Sequence, residues 1–210
     1  MPIIWWANKL ISNILFMNDH FNQLKAYVKA IHHIPEQDWA QFQSLWKPYN
    51  AKRKVTITAA GEPERYLYFV ISGVQRVYFT DQNGREATLV FTYNPSFGGV
   101  LDAMLCQRPS TYWYETLSPS AFLRAPYADI LTLAKSSPTL QAFIDTSLAG
   151  TISGLLRRMV ELQCYNSKEK FQALLTRSPH IIQHVPHKYL ASYLGIDATN
   201  FSKLFNTINI

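Results

Sequence analysis

The segment Pro186 to Ile210 constrains this chain most, because it carries the spacing of two short helices joined by one tight turn. Such helices need a small residue where they cross, a glycine in the turn and apolar anchors facing inward. Ala191 is the small residue, and Gly195 can take the positive backbone angle that a side chain resists. Leu190, Leu194, Ile196, Phe201 and Leu204 fall at inward-facing positions. Asp197 stands where a carboxylate caps the second helix. An ordinary helical hairpin would share these features, so the outward face decides. Ala198, Thr199, Asn200, Ser202, Lys203 and Asn206 are small or polar, with no acid among them, and suit base edges and phosphates. A merely solvated face would mix Glu with Lys. The pattern predicts a helix-turn-helix on double-stranded DNA, with Lys188 and the first helix's start gripping phosphate.

Charge agrees with that placement. The chain has 210 residues and a formal net charge of +6, and its basic excess leans toward this end. From Asn166 onward Lys168, Lys170, Arg177, Lys188 and Lys203 face Glu169 and Asp197, whereas residues 51–130 are nearly balanced. At 48% hydrophobic and 16% charged the composition is that of a folded, soluble protein. No apolar run is long enough to span a membrane. Cys106 and Cys164 make no metal-ligand spacing and read as incidental buried thiols of a reduced, cytoplasmic protein. The apolar start, Met1 to Trp6, has no basic leader or cleavage site. It reads either as an amphipathic first helix or as an extension ahead of a natural start at Met17.

Upstream, residues 18–46 look helical, with Phe21, Leu24, Tyr27, Val28 and Ile31 at helical spacing and a second helix opening near Pro35. From Lys52 the pattern turns to strands: Val55–Thr58, Tyr66–Ile71, Val74–Thr80, Glu86–Tyr93 and Ala121–Arg124. Asn83-Gly84 suggests a tight hairpin with both residues left-handed, and Pro95 to Gly99 breaks the strand before it. Short antiparallel strands at this spacing predict a sandwich or jelly-roll barrel in an α+β fold. After Pro138 the helical period returns. Leu148, Ile152, Leu155, Met159 and Leu162 advance by four, three, four and three, the spacing of a coiled-coil seam. A core helix packed on its own barrel is the alternative. A seam running into a DNA-binding module is better explained by homodimerisation, since such modules read paired half-sites.

Taken together, these parts resemble the Crp/Fnr family of bacterial transcription regulators over residues 18–208. The resemblance is carried by Gly61-Glu62, Ile71-Ser72-Gly73, Phe97-Gly98-Gly99 and Val185-Pro186 through Ile196, the last most like a Bacteroidetes-type branch. It implies a helical leader and cyclic nucleotide-binding-like sensor over 1–137, a long dimerisation helix over 138–165 and a helix-turn-helix domain over 166–210. It also implies RNA polymerase as a further partner. By the same resemblance Gly98, Gly99, Val100, Leu101, Ser110 and Thr111 line the ligand turn. Members that bind cyclic AMP carry an acid where Val100 stands and an arginine near Ser110. Arg108 comes about two residues early, beside the stiffening Pro109. A desolvated phosphate needs cations or amide donors, so cyclic AMP is expected to bind weakly or not at all. The cysteines near the start that hold an iron–sulfur cluster in one branch have no counterpart before Cys106. Family members often follow the recognition helix with a winged hairpin. Few residues follow it here, so contact is expected to rest on the helix, with Lys203 where an arginine is usual and base discrimination softer.

Rival sites are weaker. His180, His184 and His187 sit between Pro179 and Pro186 without a nearby Cys or carboxylate, and read as a solvated linker rather than a metal site. His32-His33 is a similarly faint haem or metal suggestion. Tyr93, Phe97, Tyr112, Trp113 and Tyr114 either line a pocket or pack the barrel. No nucleophile elbow, phosphate-binding glycine loop or metalloprotease pair is present, so no catalytic residue, metal or cofactor is assigned. The sequence thus predicts a DNA-binding regulator. The alternative is a ligand-binding module whose degenerate helix-turn-helix contacts a protein.

Overall fold

A computed structural model describes the backbone of residues 3–207 and the side chains of residues 17–207. Helix α1 (Ile3–Ile31) begins well ahead of Asn18, and its described part buries Leu24 and Val28 one turn apart on the expected face. Pro35, with an extended backbone, introduces α2 (Glu36–Ser44), which buries Trp39 and Phe42.

The strands follow: β1 (Lys47–Ala51), β2 (Thr56–Thr58), β3 (Tyr66–Ser72), β4 (Val74–Thr80), β5 (Glu86–Tyr93) and β6 (Ser96–Gly98). A short helix α3 (Leu101–Cys106) then precedes β7 (Trp113–Thr116) and β8 (Ser120–Pro126). Among the described residues they form two antiparallel sheets, ordered β1-β8-β3-β6 and β2-β7-β4-β5. The face-to-face pair is a jelly roll.

Three strands were not foreseen. β1 and β6 contain Pro48 and Gly98 and lie at the two ends of one sheet, where a missing N–H or side chain is tolerated. β7 is where the aromatic run Trp113-Tyr114 becomes barrel wall rather than pocket lining. The β4–β5 hairpin also closes differently. Gly84 takes φ +76° while Asn83 does not enter the left-handed region. The Asp81 carboxylate holds the loop instead, accepting from the Asn83 and Arg85 N–H groups at 2.8 and 2.9 Å.

Helix α4 (Tyr127–Ala134) leads to α5 (Pro138–Cys164). Ser137 caps α5 by accepting from the Leu140 N–H at 3.1 Å, with Pro138 in the first turn. Ser137 and Thr139 both donate to Asp38 at 2.5 Å, tying α5 to α2. Leu140 and Phe143 join the aromatic layer of Phe42, Trp46 and Phe97 between the leader helices and the roll. Beyond them α5 leaves that core.

The chain ends with α6 (Ser167–Arg177), α7 (Ile181–His184), α8 (His187–Leu194) and α9 (Ala198–Thr207). A capping box opens α6, the Asn166 side chain accepting from Lys168 and Glu169 N–H and the Glu169 carboxylate accepting from the Asn166 N–H. Phe171, Leu174, Ile181, Leu190, Leu194 and Phe201 form the C-terminal core, which runs without a break into Val74 and Leu117 of the roll. Both cysteines are exposed, not buried as the sequence suggested: Cys106 ends α3 and Cys164 ends α5, each at a surface turn.

Candidate nucleic-acid interface and ligand turn

Gly195 closes α8 at φ +64° and ψ +38°, and its N–H returns to the Ser192 carbonyl. Asp197 then starts α9, its carboxylate accepting from the Asn200 N–H at 2.8 Å. Ala191 is buried at the crossing, and Leu190, Leu194 and Phe201 are fully enclosed. The turn chemistry read from sequence is thus present in full.

Ala198, Thr199, Ser202, Lys203 and Asn206 lie exposed on α9, and Lys188 lies exposed on α8. Asn200 differs. It is half-buried, and its Nδ2 donates to Ser167 Oγ at 3.1 Å, so its amide is turned toward α6. The Ser202 hydroxyl donates back to the Ala198 carbonyl at 2.9 Å, a local bond that leaves its lone pairs outward. His180, His184 and His187 are all exposed, as expected of a solvated segment, though two of them touch aromatic rings. His180 packs edge-on to Tyr93, and His187 lies against Phe201 and Phe205.

The unit carrying this face is docked on the roll. Ser192 of α8 accepts from the Thr88 N–H at 3.0 Å and donates to the Glu86 carbonyl at 3.2 Å. Arg76, 1% exposed, is sandwiched at 3.8 Å between Tyr78 of its own strand and Tyr189 of α8. It is neutralised by Glu86 at 2.6 Å and Glu115 at 2.7 Å. Nothing in the sequence marked Arg76 for this role.

On α5 the predicted seam is largely uncovered: Ile152, Leu155, Met159 and Leu162 are exposed and Leu148 half-buried. Leu156 and Val160, missed by the strict seam spacing, are exposed beside them, so the apolar stripe is broader. The opposite face turns inward. Arg158 and Glu161 are buried against the C-terminal unit, bonded to each other at 3.0 Å, and Arg177 reaches the same carboxylate at 2.6 Å. Arg158 also donates to the Tyr193 carbonyl and stacks on its ring. Hydrogen bonds from Arg177, opposed by burial and aided by Arg158, hold the Glu161 carboxyl below its ordinary range.

The turn that the resemblance assigns to a ligand is built differently from the cyclic AMP pattern. Gly98 ends β6 where an added Cβ would strike the Tyr114 hydroxyl. Val100 is buried at the start of α3, and its N–H donates to Glu64 at 3.1 Å. The Glu64 carboxylate also accepts from the Thr58 hydroxyl at 2.7 Å and the Tyr66 N–H at 3.3 Å. Burial pushes its pKa up against those bonds. Leu101 is half-buried and packs on the outer core, whereas Thr111 is exposed. Ser110 is buried, but its hydroxyl is spent on the Tyr112 backbone at 2.7 and 3.0 Å. Arg108 pairs with Asp102 at 3.3 Å on the surface.

The interior is packed by Tyr68, Val70, Tyr114 and Phe122. Tyr114 is wholly enclosed and shares a 3.0 Å bond with Thr92. The arginine on this side is Arg124, stacked on Tyr49 at 4.1 Å and Tyr66 at 4.5 Å. Glu64 and Arg124 come from outside the turn, where no motif pointed to them.

Residues 50–137 match the family model of the cyclic nucleotide-binding domain. Among solved structures, the chain is similar to FixK2 from Bradyrhizobium japonicum, with TM-score 0.69, 14% identity, and 77% of this chain and 83% of that one covered. The c-di-GMP-responsive global regulator CLP of Xanthomonas campestris gives TM-score 0.61 and 15% identity over 82% and 91% of the two chains. The catabolite activator protein of Thermus thermophilus gives 0.54 and 17% over 84% of each. No sequence among the curated proteins matches. The structural neighbours include Crp/Fnr-family regulators. The fold is therefore a cyclic nucleotide-binding jelly roll followed by C-terminal helices, as in Crp-like structures. No helix among the described residues is long and apolar enough to cross a membrane.

Proposed function

We propose that the chain is a homodimeric, sequence-specific DNA-binding regulator, not an enzyme, whose roll does not respond to cyclic AMP. The division is a sensor over 1–137, a linking helix over 138–165 and a DNA-binding unit over 166–210. The observation that carries the reading is the exposed, acid-free face of α9, held outward by fully buried Phe201 beneath it. Thr199, Ser202, Lys203 and Asn206 meet base edges, Ser202 accepting through its outward lone pairs, Ala198 allows close approach, and Lys188 meets phosphate. Asn200 joins them once its bond to Ser167 is exchanged for a base. The uncovered stripe Ile152, Leu155, Leu156, Met159 and Val160 supplies the two-fold contact that pairs two such faces, with Leu148 and Leu162 at its ends. Insensitivity to cyclic AMP follows from the filled interior and from Val100, Ser110 and Arg108. At the ligand turn none of these offers a free acid or cation to a nucleotide.

Selection of bound fragments from a random DNA pool by the purified protein, at two salt concentrations, tests the reading. An enriched palindrome is expected; no enrichment at either salt contradicts it. Calorimetry with cyclic AMP, beside cyclic GMP, tests the sensor, and heat of binding with cyclic AMP contradicts that part.

A further inference from the structure

A cavity of about 270 Å³ lies where three parts of the molecule meet. Strand β5 lines it with Leu89, Phe91 and Tyr93, α5 with Gly154, Leu155 and Arg158, and the C-terminal unit with Arg177, Ile181 and Tyr193. Its volume is just under the range of about 300–1,000 Å³ that takes drug-sized ligands, so it suits a compact one. The wall is mostly apolar, and its charge is unbalanced. Arg158 and Arg177 share the single Glu161 carboxylate, leaving one surplus positive charge beside an apolar space. Two guanidiniums carry about ten N–H donors between them. Only part of these go to Glu161 and to the carbonyl and hydroxyl of Tyr193. Arg158 is buried while the Arg177 side chain is 37% exposed, so the surplus charge is partly desolvated at the cavity mouth and the site favours an anion. A guanidinium fork matches a carboxylate in particular.

We propose that this junction binds a small organic monocarboxylate with an aromatic or aliphatic body. The carboxylate sits on Arg177 and Arg158, and the body lies against Leu89, Phe91 and Ile181. Because the cavity touches roll, long helix and DNA-binding unit at once, its occupant bears on how α8 docks on β5. That consequence rests on the regulator reading; the binding itself does not.

The test is calorimetry on the full chain without DNA. The probes are phenylacetate and 3-phenylpropionate, each beside its neutral amide. The acids are expected to bind at least tenfold more tightly than the amides. Arg177→Gln should bring each acid down to its amide's affinity. Gly154→Leu fills the cavity from α5, where an added Cβ meets nothing and a helix former replaces glycine, so the fold is kept. It should abolish binding of both. Equal binding of acid and amide, no binding by any probe at millimolar concentration, or unchanged binding by Gly154→Leu would overturn the proposal. None of these results depends on DNA, so failure here is separable from failure of DNA binding.

Discussion

Lys203 is the one charged side chain on the exposed face of α9, and it sits among short polar neighbours that leave its ammonium room to reach. Lys203→Ala should weaken binding to the selected site by about 1–3 kcal/mol and relax its preference over scrambled DNA, as measured by fluorescence anisotropy. Gly98 is constrained by its neighbour. Its alanine variant drives a methyl into the Tyr114 hydroxyl and should cost about 1–3 kcal/mol in urea unfolding. Glu64 gives a prediction with a sign. Its folded pKa is raised by burial, so the folded state favours the protonated acid. The stability this contributes is complete below the unfolded carboxylate value and is lost as pH rises through the raised folded value. The stability of wild type relative to Glu64→Gln should therefore fall with rising pH across that window and be flat beyond it. A rise would contradict the assigned environment. Gly195 and Asp197 were legible in sequence because turn and cap chemistry is local. Glu64 and Arg124 were not, because their partners lie on other strands and no local pattern encodes such a meeting.

Among the elements, α5 carries two opposite faces along one length. Its outer stripe leaves five apolar side chains at least half exposed, and covering them contributes about 1 kcal/mol each. Leu155→Asp with Met159→Asp should convert the proposed dimer to monomer in sedimentation velocity and weaken binding to a full palindrome far more than to a half-site. An unchanged dimer would place the two-fold contact elsewhere. Its inner face holds the Arg158–Glu161–Arg177 group. Glu161→Ala leaves buried Arg158 without its carboxylate and should cost about 3 kcal/mol of stability. The exposed apolar residues Ile152, Leu155, Met159 and Leu162 were legible from their spacing, since an apolar period needs no partner to be seen. The broader stripe was not, because a strict four-three step passes over Leu156 and Val160, which a helix of 3.6 residues per turn brings to the same side. β3 announced itself by its continuous apolar run, and β4 and β5 by the Ser72-Gly73 and Asn83-Gly84 turns that bound them. β1 and β6 carry proline or glycine, so tertiary pairing and not propensity makes them strands, while β7, though strand-prone in Trp113, Tyr114 and Thr116, is only four residues long.

For the whole molecule, the C-terminal unit is not hung freely from the roll but shares a core with it and is pinned through Arg76, Ser192 and Tyr193. In the proposed dimer, the spacing of the two recognition helices is then set by how each unit seats on its own roll and on α5. That makes the docking contacts the levers of any two-state change. The architecture of leader, roll, long helix and terminal helices was readable from the order of periodicities. The docking was not, because it joins residues about a hundred positions apart. The central claim is that α9 reads DNA, and phosphate contacts leave a mark that a protein–protein contact does not share. The decisive measurement is affinity for the selected site as salt rises from about 50 to 200 mM, for wild type and Lys203→Ala side by side. The account predicts a steep linear fall of log affinity with log salt for both proteins, with the variant weaker and less sequence-selective throughout. A flat salt response, or identical lines for the two proteins, would contradict it.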